Sequence, residues 1–63
     1  MKLTELQKHL RRHGCRLVRE GRAHSIWENP VNDVQTSVPR HREVSRFMAA
    51  RICKQLDIPV PGL

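Results

Sequence analysis

Four histidines, at positions 9, 13, 24 and 41, are the side chains of this 63-residue sequence that exchange a proton near neutral pH. His9 and His13 have the i, i+4 spacing that lets two imidazoles share a metal ion on one helical face, but no third ligand of matching spacing accompanies them. They read instead as surface residues near a helix end, where positive charge is favourable. His24 and His41 have arginines close by: Arg22 shortly before His24, and Arg40 and Arg42 on either side of His41. An imidazole beside guanidinium groups suits acid–base work on a phosphodiester, the ring moving the proton and the cations meeting the phosphate. The plainer reading of the same residues is a solvated polar surface.

Other routes to phosphodiester chemistry are poorly represented. The six carboxylates, Glu5, Glu20, Glu28, Asp33, Glu43 and Asp57, are scattered, with none of the grouping that holds a catalytic magnesium ion. A metal-dependent nuclease is therefore disfavoured, and neither a metal site nor a cofactor is expected. The sequence also lacks a phosphate-cradling GxxxxGK[ST] run, zinc-finger spacing and an aromatic-rich strand of the RNA-stacking kind. Trp27 is the residue considered for base stacking, but packing on a sheet, or against a partner, is the favoured reading.

Twelve Lys and Arg against six Asp and Glu give a formal charge of +6 and a pI near 10.8, which concentrates polyanions at the surface. Nucleic acid is the default polyanion, and an acidic protein is another. No apolar run is long enough to span or anchor in a bilayer, so a membrane role is not expected. Met1 to Leu10 mix polar and apolar types with no export-type apolar stretch, which points to a cytoplasmic protein with Cys15 and Cys53 reduced and buried as small apolar side chains. At 7.4 kDa, residues 1–63 fit one domain whose core is small, with 38% apolar and 3% aromatic residues. A partner that covers surface would add to its stability.

The elements that must position these groups follow from local pattern. Thr4 is expected to cap a first helix, with Gln7 reaching back in a capping box, Leu3, Leu6 and Leu10 on one face, and Gly14 ending it in the left-handed conformation. Cys15 to Glu20 reads as a strand, Cys15 and Leu17 on one side and Arg16 and Val18 on the other. Gly21 to Ala23 form a turn, and His24 to Asn29 a second strand in which only one of Ile26 and Trp27 can face the core. Pro30 to Asp33 supply the next turn, and Val34, Thr36 and Val38 alternate as a third strand stopped by Pro39. A basic loop, Arg40 to Val44, leads to a helix near Ser45 to Leu56 with Phe47, Met48, Ile52 and Leu56 as its apolar stripe. Residues 57–63, with two prolines and a glycine, form an extended or mobile tail. The result is an α+β fold of order α-β-β-β-α, a three-stranded antiparallel sheet with both helices on one face and the other face open.

Taken in order, LxxHG at Leu10 to Gly14, LVREG at Leu17 to Gly21, AHSIW at Ala23 to Trp27, TSVPRHRE at Thr36 to Glu43 and ARICKQLDIP at Ala50 to Pro59 make the chain resemble the HicA toxins of type II toxin-antitoxin systems. No single piece carries the resemblance; their order and spacing do. The family commonly has Gly-Ser-His where this chain has Ala23 and His24, and that histidine is its catalytic residue, so the resemblance assigns the role to His24. A Pro-x-His element is also present as Pro39, Arg40 and His41. The resemblance implies a double-stranded-RNA-binding-domain-like fold, a metal-independent endoribonuclease that cuts messenger RNA, and a HicB antitoxin as partner. On this reading neutral His24 takes the proton of a ribose 2′-hydroxyl, Arg22, Arg40 or Arg42 stabilises the phosphorane, and His41 is either the acid or a hydrogen-bonded support. With serine absent before His24, the alternative is a basic RNA-binding module of the same fold that does no chemistry. A third reading is an interaction protein that docks an acidic partner.

Overall fold

The strong alternation along Val34 to Val38 and the i, i+4 spacing of Ile52 and Leu56 place strand and helix where their periods require, and a computed structural model of the chain has the expected order. It describes residues 1–62; Leu63, the end of the expected tail, lies outside the described residues. Helix α1 (Leu3–Arg12) is followed by strands β1 (Arg16–Glu20), β2 (His24–Asn29) and β3 (Val34–Pro39) and by helix α2 (Arg46–Gln55). Short turns make the sheet an antiparallel meander with β2 in the centre.

Pairing of Ser25 with Val38 and of Trp27 with Thr36 puts these four residues on one face of the sheet, and all four are buried. Leu6 and Leu10 from α1 and Ala49, Ile52, Cys53 and Leu56 from α2 pack into one core with Trp27 and Val38, so both helices cover that face. Trp27 is fully buried, and its Nε1 donates to Ser25 Oγ at 3.2 Å, while the Arg11 guanidinium lies 5.2 Å from the ring centroid. Trp27 is thus a core residue and not a stacking platform. Ile26 takes the opposite face with His24, Glu28 and Ser37.

Three local expectations give way to tertiary contacts. Thr4 does not cap α1. The N-cap is Lys2, with no side-chain bond, because the N-terminal segment pairs with the loop before α2: Leu3 N donates to Arg42 O at 2.9 Å, Val44 N to Met1 O at 2.8 Å, and Lys2 bridges Glu43. A main-chain acceptor from elsewhere in the chain satisfies the first amide of the helix, and the Leu6 amide that a Thr4 cap would have met bonds Lys2 O instead. Leu17 shares the side of buried Cys15 but is 38% exposed, since β1 is an edge strand that the helices leave uncovered. A bulge between Leu17 and Arg19 then reverses the faces, setting Leu17 opposite Trp27 but Arg19 opposite Ile26. Phe47 lies outside the apolar stripe of α2 and is 77% exposed: five residues before Ile52, it sits about 140° around the helix from it.

Gly14 ends α1 as expected. Gly14 has φ of +85°, with its amide and that of Cys15 closing onto α1 carbonyls. Ser45 caps α2, its Oγ accepting from Met48 N at 3.1 Å. Buried Asn29 joins the β2–β3 turn to the end of α2, donating from Nδ2 to Leu56 O at 2.8 Å and accepting from Val31 N at 3.1 Å. Beyond α2 the chain has no regular secondary structure up to Gly62, and it is tied to α1 by a 2.7 Å bond between His9 Nε2 and Pro59 O. Cys15 and Cys53 are buried free thiols whose pKa burial pushes up, with the Cys15 charge adding to the effect at Cys53.

Candidate active site

The turn at Gly21 to Ala23 determines where His24 sits. Gly21 N donates to His24 O at 2.7 Å, and a Cβ on Gly21 would lie 2.7 Å from that same oxygen, so the turn closes this tightly only on glycine. It delivers His24 as the first residue of β2, opposite Pro39 of β3. The period of the strand turns buried Ser25 to the helices and leaves His24 exposed on the other side.

Arg40 holds the turn from the neighbouring strand. Its main-chain N donates to Ala23 O at 3.0 Å and its Nη1 to Gly21 O at 2.7 Å. Arg40 and His24 are therefore brought together through the turn, with Arg40 as its brace.

His24 lines a groove of about 240 Å³ whose walls are Ser37 and Pro39 from β3 and Met48, Arg51, Ile52 and Gln55 from α2. Gln55 is fixed there, its Oε1 accepting a hydrogen bond from Thr36 Oγ1. His24 and Ser37 border the groove from the outer face of the sheet and Arg51 and Gln55 from α2, so its lining residues include a histidine, a serine, a glutamine and an arginine. Such a set can move a proton at a hydroxyl and offset charge developing on a phosphoryl group.

The other expected site residues lie elsewhere. Arg22 is exposed on the turn, and His41 and Arg42 are exposed in the loop between β3 and α2, tied to α1 through Arg42 O. None of the three lines the groove of His24. Arg51, Ser37 and Gln55 were not singled out from sequence. Arg51 and Gln55 read as the polar side of an amphipathic helix, and Ser37 as the polar half of a strand alternation; the docking of α2 along β3 makes them neighbours of His24. His9 and His13 have ring centroids 4.6 Å apart, and among the described residues no group of three or more His, Cys, Asp or Glu is placed to hold a metal ion.

On the opposite face of the sheet from the core, Glu28 accepts from Arg16 Nε at 3.0 Å and Nη2 at 2.8 Å and from Gln35 at 3.2 Å. The Arg16 hydrogen bonds, then that from Gln35, lower its pKa below the ordinary glutamate value. Among the described residues no helix is long and apolar enough to cross a membrane.

A family model described as HicA toxin of bacterial toxin-antitoxin matches residues 4–58, which span nearly all of α1, the whole sheet with His24, and α2. No curated protein and no solved structure matches the chain.

Proposed function

The chain belongs to the HicA toxin family, and from that premise we propose that it is a cytoplasmic, metal-independent endoribonuclease that cuts messenger RNA with His24 as its acid–base residue and is neutralised by a HicB antitoxin. The observation that carries the reading is His24 itself: exposed at the start of β2, braced by the Arg40-bound turn, and sharing a groove with Arg51. The charge of +6 supports a polyanionic substrate and an acidic partner alike.

Neutral His24 accepts the proton of a ribose 2′-hydroxyl, and the resulting oxygen attacks the adjacent phosphorus. The bond to the 5′-oxygen breaks, that oxygen leaves with a proton from His41 or from water, and a 2′,3′-cyclic phosphate remains. Arg51 stabilises the charge of the phosphorane from within the groove, and Arg22, Arg40 and Arg42 attract the flanking phosphates. Ala23 stands where the family's usual serine precedes His24, and Ser37 is the serine among the residues lining the groove.

Incubation of the purified protein with RNA in the presence of a chelator tests this. Shortened RNA with wild type and intact RNA with His24→Ala is the expected result. A mobility shift without shortening would instead identify a binding module that does no chemistry.

A further inference from the structure

Phe47 exposes most of its ring on the first turn of α2, and a lone apolar side chain on a surface by itself needs no explanation. Its surroundings do point to a ligand. Phe47, Ala50, Arg51 and Lys54 line a surface hollow of about 470 Å³, closed by Gln55. Arg51 and Gln55 also line the groove of His24, so the two depressions share a wall. Phe47, Arg51 and Gln55 follow one another at intervals of four along one row of α2, about 6 Å per step, and Gln55 is anchored by Thr36.

We propose that this hollow is a nucleobase subsite, in which Phe47 stacks on an unpaired base next to the phosphodiester held at His24, and Arg51 and Lys54 meet the phosphates on either side of that base. The proposal rests on the RNA reading of the site. One aromatic face with flanking cations is sufficient to hold a single-stranded nucleotide, because every base offers a π-face and every linkage a charge. The centre of a protein interface is depleted in charge, whereas this mostly apolar hollow carries two cations. Here Phe47 and Ala50 are the apolar members of the hollow, and Arg51 and Lys54 stand among them. A base on Phe47 also fixes how far along the strand the linkage at His24 lies, so single-strandedness is sensed at α2 while the proton is moved at β2.

The test measures the affinity of the full chain for a labelled single-stranded 2′-methoxy oligoribonucleotide, which lacks the attacking hydroxyl and stays intact, and for the same strand with abasic sites. Phe47→Ala is expected to weaken binding of the base-bearing strand by about five- to a hundredfold while leaving the abasic strand and the melting temperature unchanged. Phe47→Tyr, which keeps the ring, is expected to bind like wild type. Equal losses on both strands, or none on the base-bearing strand, would overturn the proposal. So would a Phe47→Ala chain that loses capture by its antitoxin but keeps its RNA affinity, which would assign the face to a protein. Phe47-dependent binding without any cleavage by wild type supports the subsite and rejects the catalytic reading of His24, whereas wild type that cleaves RNA but binds neither strand rejects the subsite alone.

Discussion

Arg40 Nη1 donates a hydrogen bond of 2.7 Å to the carbonyl oxygen of Gly21, so the chain that leaves the sheet after Pro39 braces the turn that delivers His24. The main chains of the same segments meet again between Arg40 N and Ala23 O at 3.0 Å. Gly21 thereby uses both its polar groups on the turn, giving its N–H to His24 and its carbonyl to Arg40.

Arg40→Ala retains the main-chain bond and loses the side-chain brace. At an exposed position the loss of stability should stay near or below about 1 kcal/mol. RNA cleavage should fall much further, by up to about a hundredfold, because small displacements of a catalytic group are costly. Comparing thermal melting with cleavage rate checks the separation, and a wild-type rate in the variant would remove the positioning role.

His24→Ala should reduce cleavage by about a hundred- to ten-thousandfold, with a change in stability within about 0.5 kcal/mol, since the residue is exposed. Cleavage in chelator, melting and antitoxin pull-down, each run beside His41→Ala, give the outcome. Undiminished cleavage by the His24 variant would reject the assignment, and loss confined to the His41 variant would move the role there.

Glu28 makes part of the acid sensitivity of the fold specific to one residue. Its pKa is lowered in the folded chain, first by the Arg16 hydrogen bonds, so its contribution to stability is present above the ordinary glutamate value of about 4.3 and is lost as pH falls through the lowered folded value. Glu28→Gln should therefore flatten the stability profile below about pH 4 and leave it little changed at neutrality. Melting temperatures of both proteins across the acid range test this, and parallel profiles would refute it.

Asn29 is buried and bonds both the β2–β3 turn and the carbonyl of Leu56 at the C-cap of α2, so Asn29→Ala should cost about 1–3 kcal/mol by removing both bonds, with Leu56 O keeping only its 3.3 Å bond from Asn32 Nδ2. That is a large part of the roughly 3–9 kcal/mol expected for a chain of this length. Asn29→Asp should be worse at neutral pH than near pH 4, because a carboxylate facing Leu56 O has its folded pKa raised, and stability is lost as pH rises through that value. Thermal or denaturant unfolding at two pH values measures both effects. A neutral-pH Asn29→Asp chain as stable as wild type would show that the bond to Leu56 contributes little.

The sequence by itself determined the order of elements, the start of β2 at His24 and the left-handed residue Gly14, because each depends on neighbours within a few positions: a period of two, a period near 3.6, a backbone conformation only glycine takes cheaply. The order and spacing of its motifs were likewise enough to indicate the HicA family. Tertiary structure alone decided the rest. Helix α1 begins at Leu3 and not after Thr4 because its open amide finds the Arg42 carbonyl from the far side of the sheet sequence, a partner no local rule contains. Trp27 and not Ile26 enters the core because the pairing with β3 sets its face, and Leu17 stays partly exposed because it lies on the edge strand β1 with a bulge that shifts the register beside it. The same holds for the site. Arg51 lies on the polar side of an amphipathic helix, where periodicity keeps it from the core without saying which element it faces, and Phe47, expected in the apolar stripe, is exposed. The angle at which α2 docks on the sheet brings Arg51 to His24 and leaves Phe47 beside it in the open.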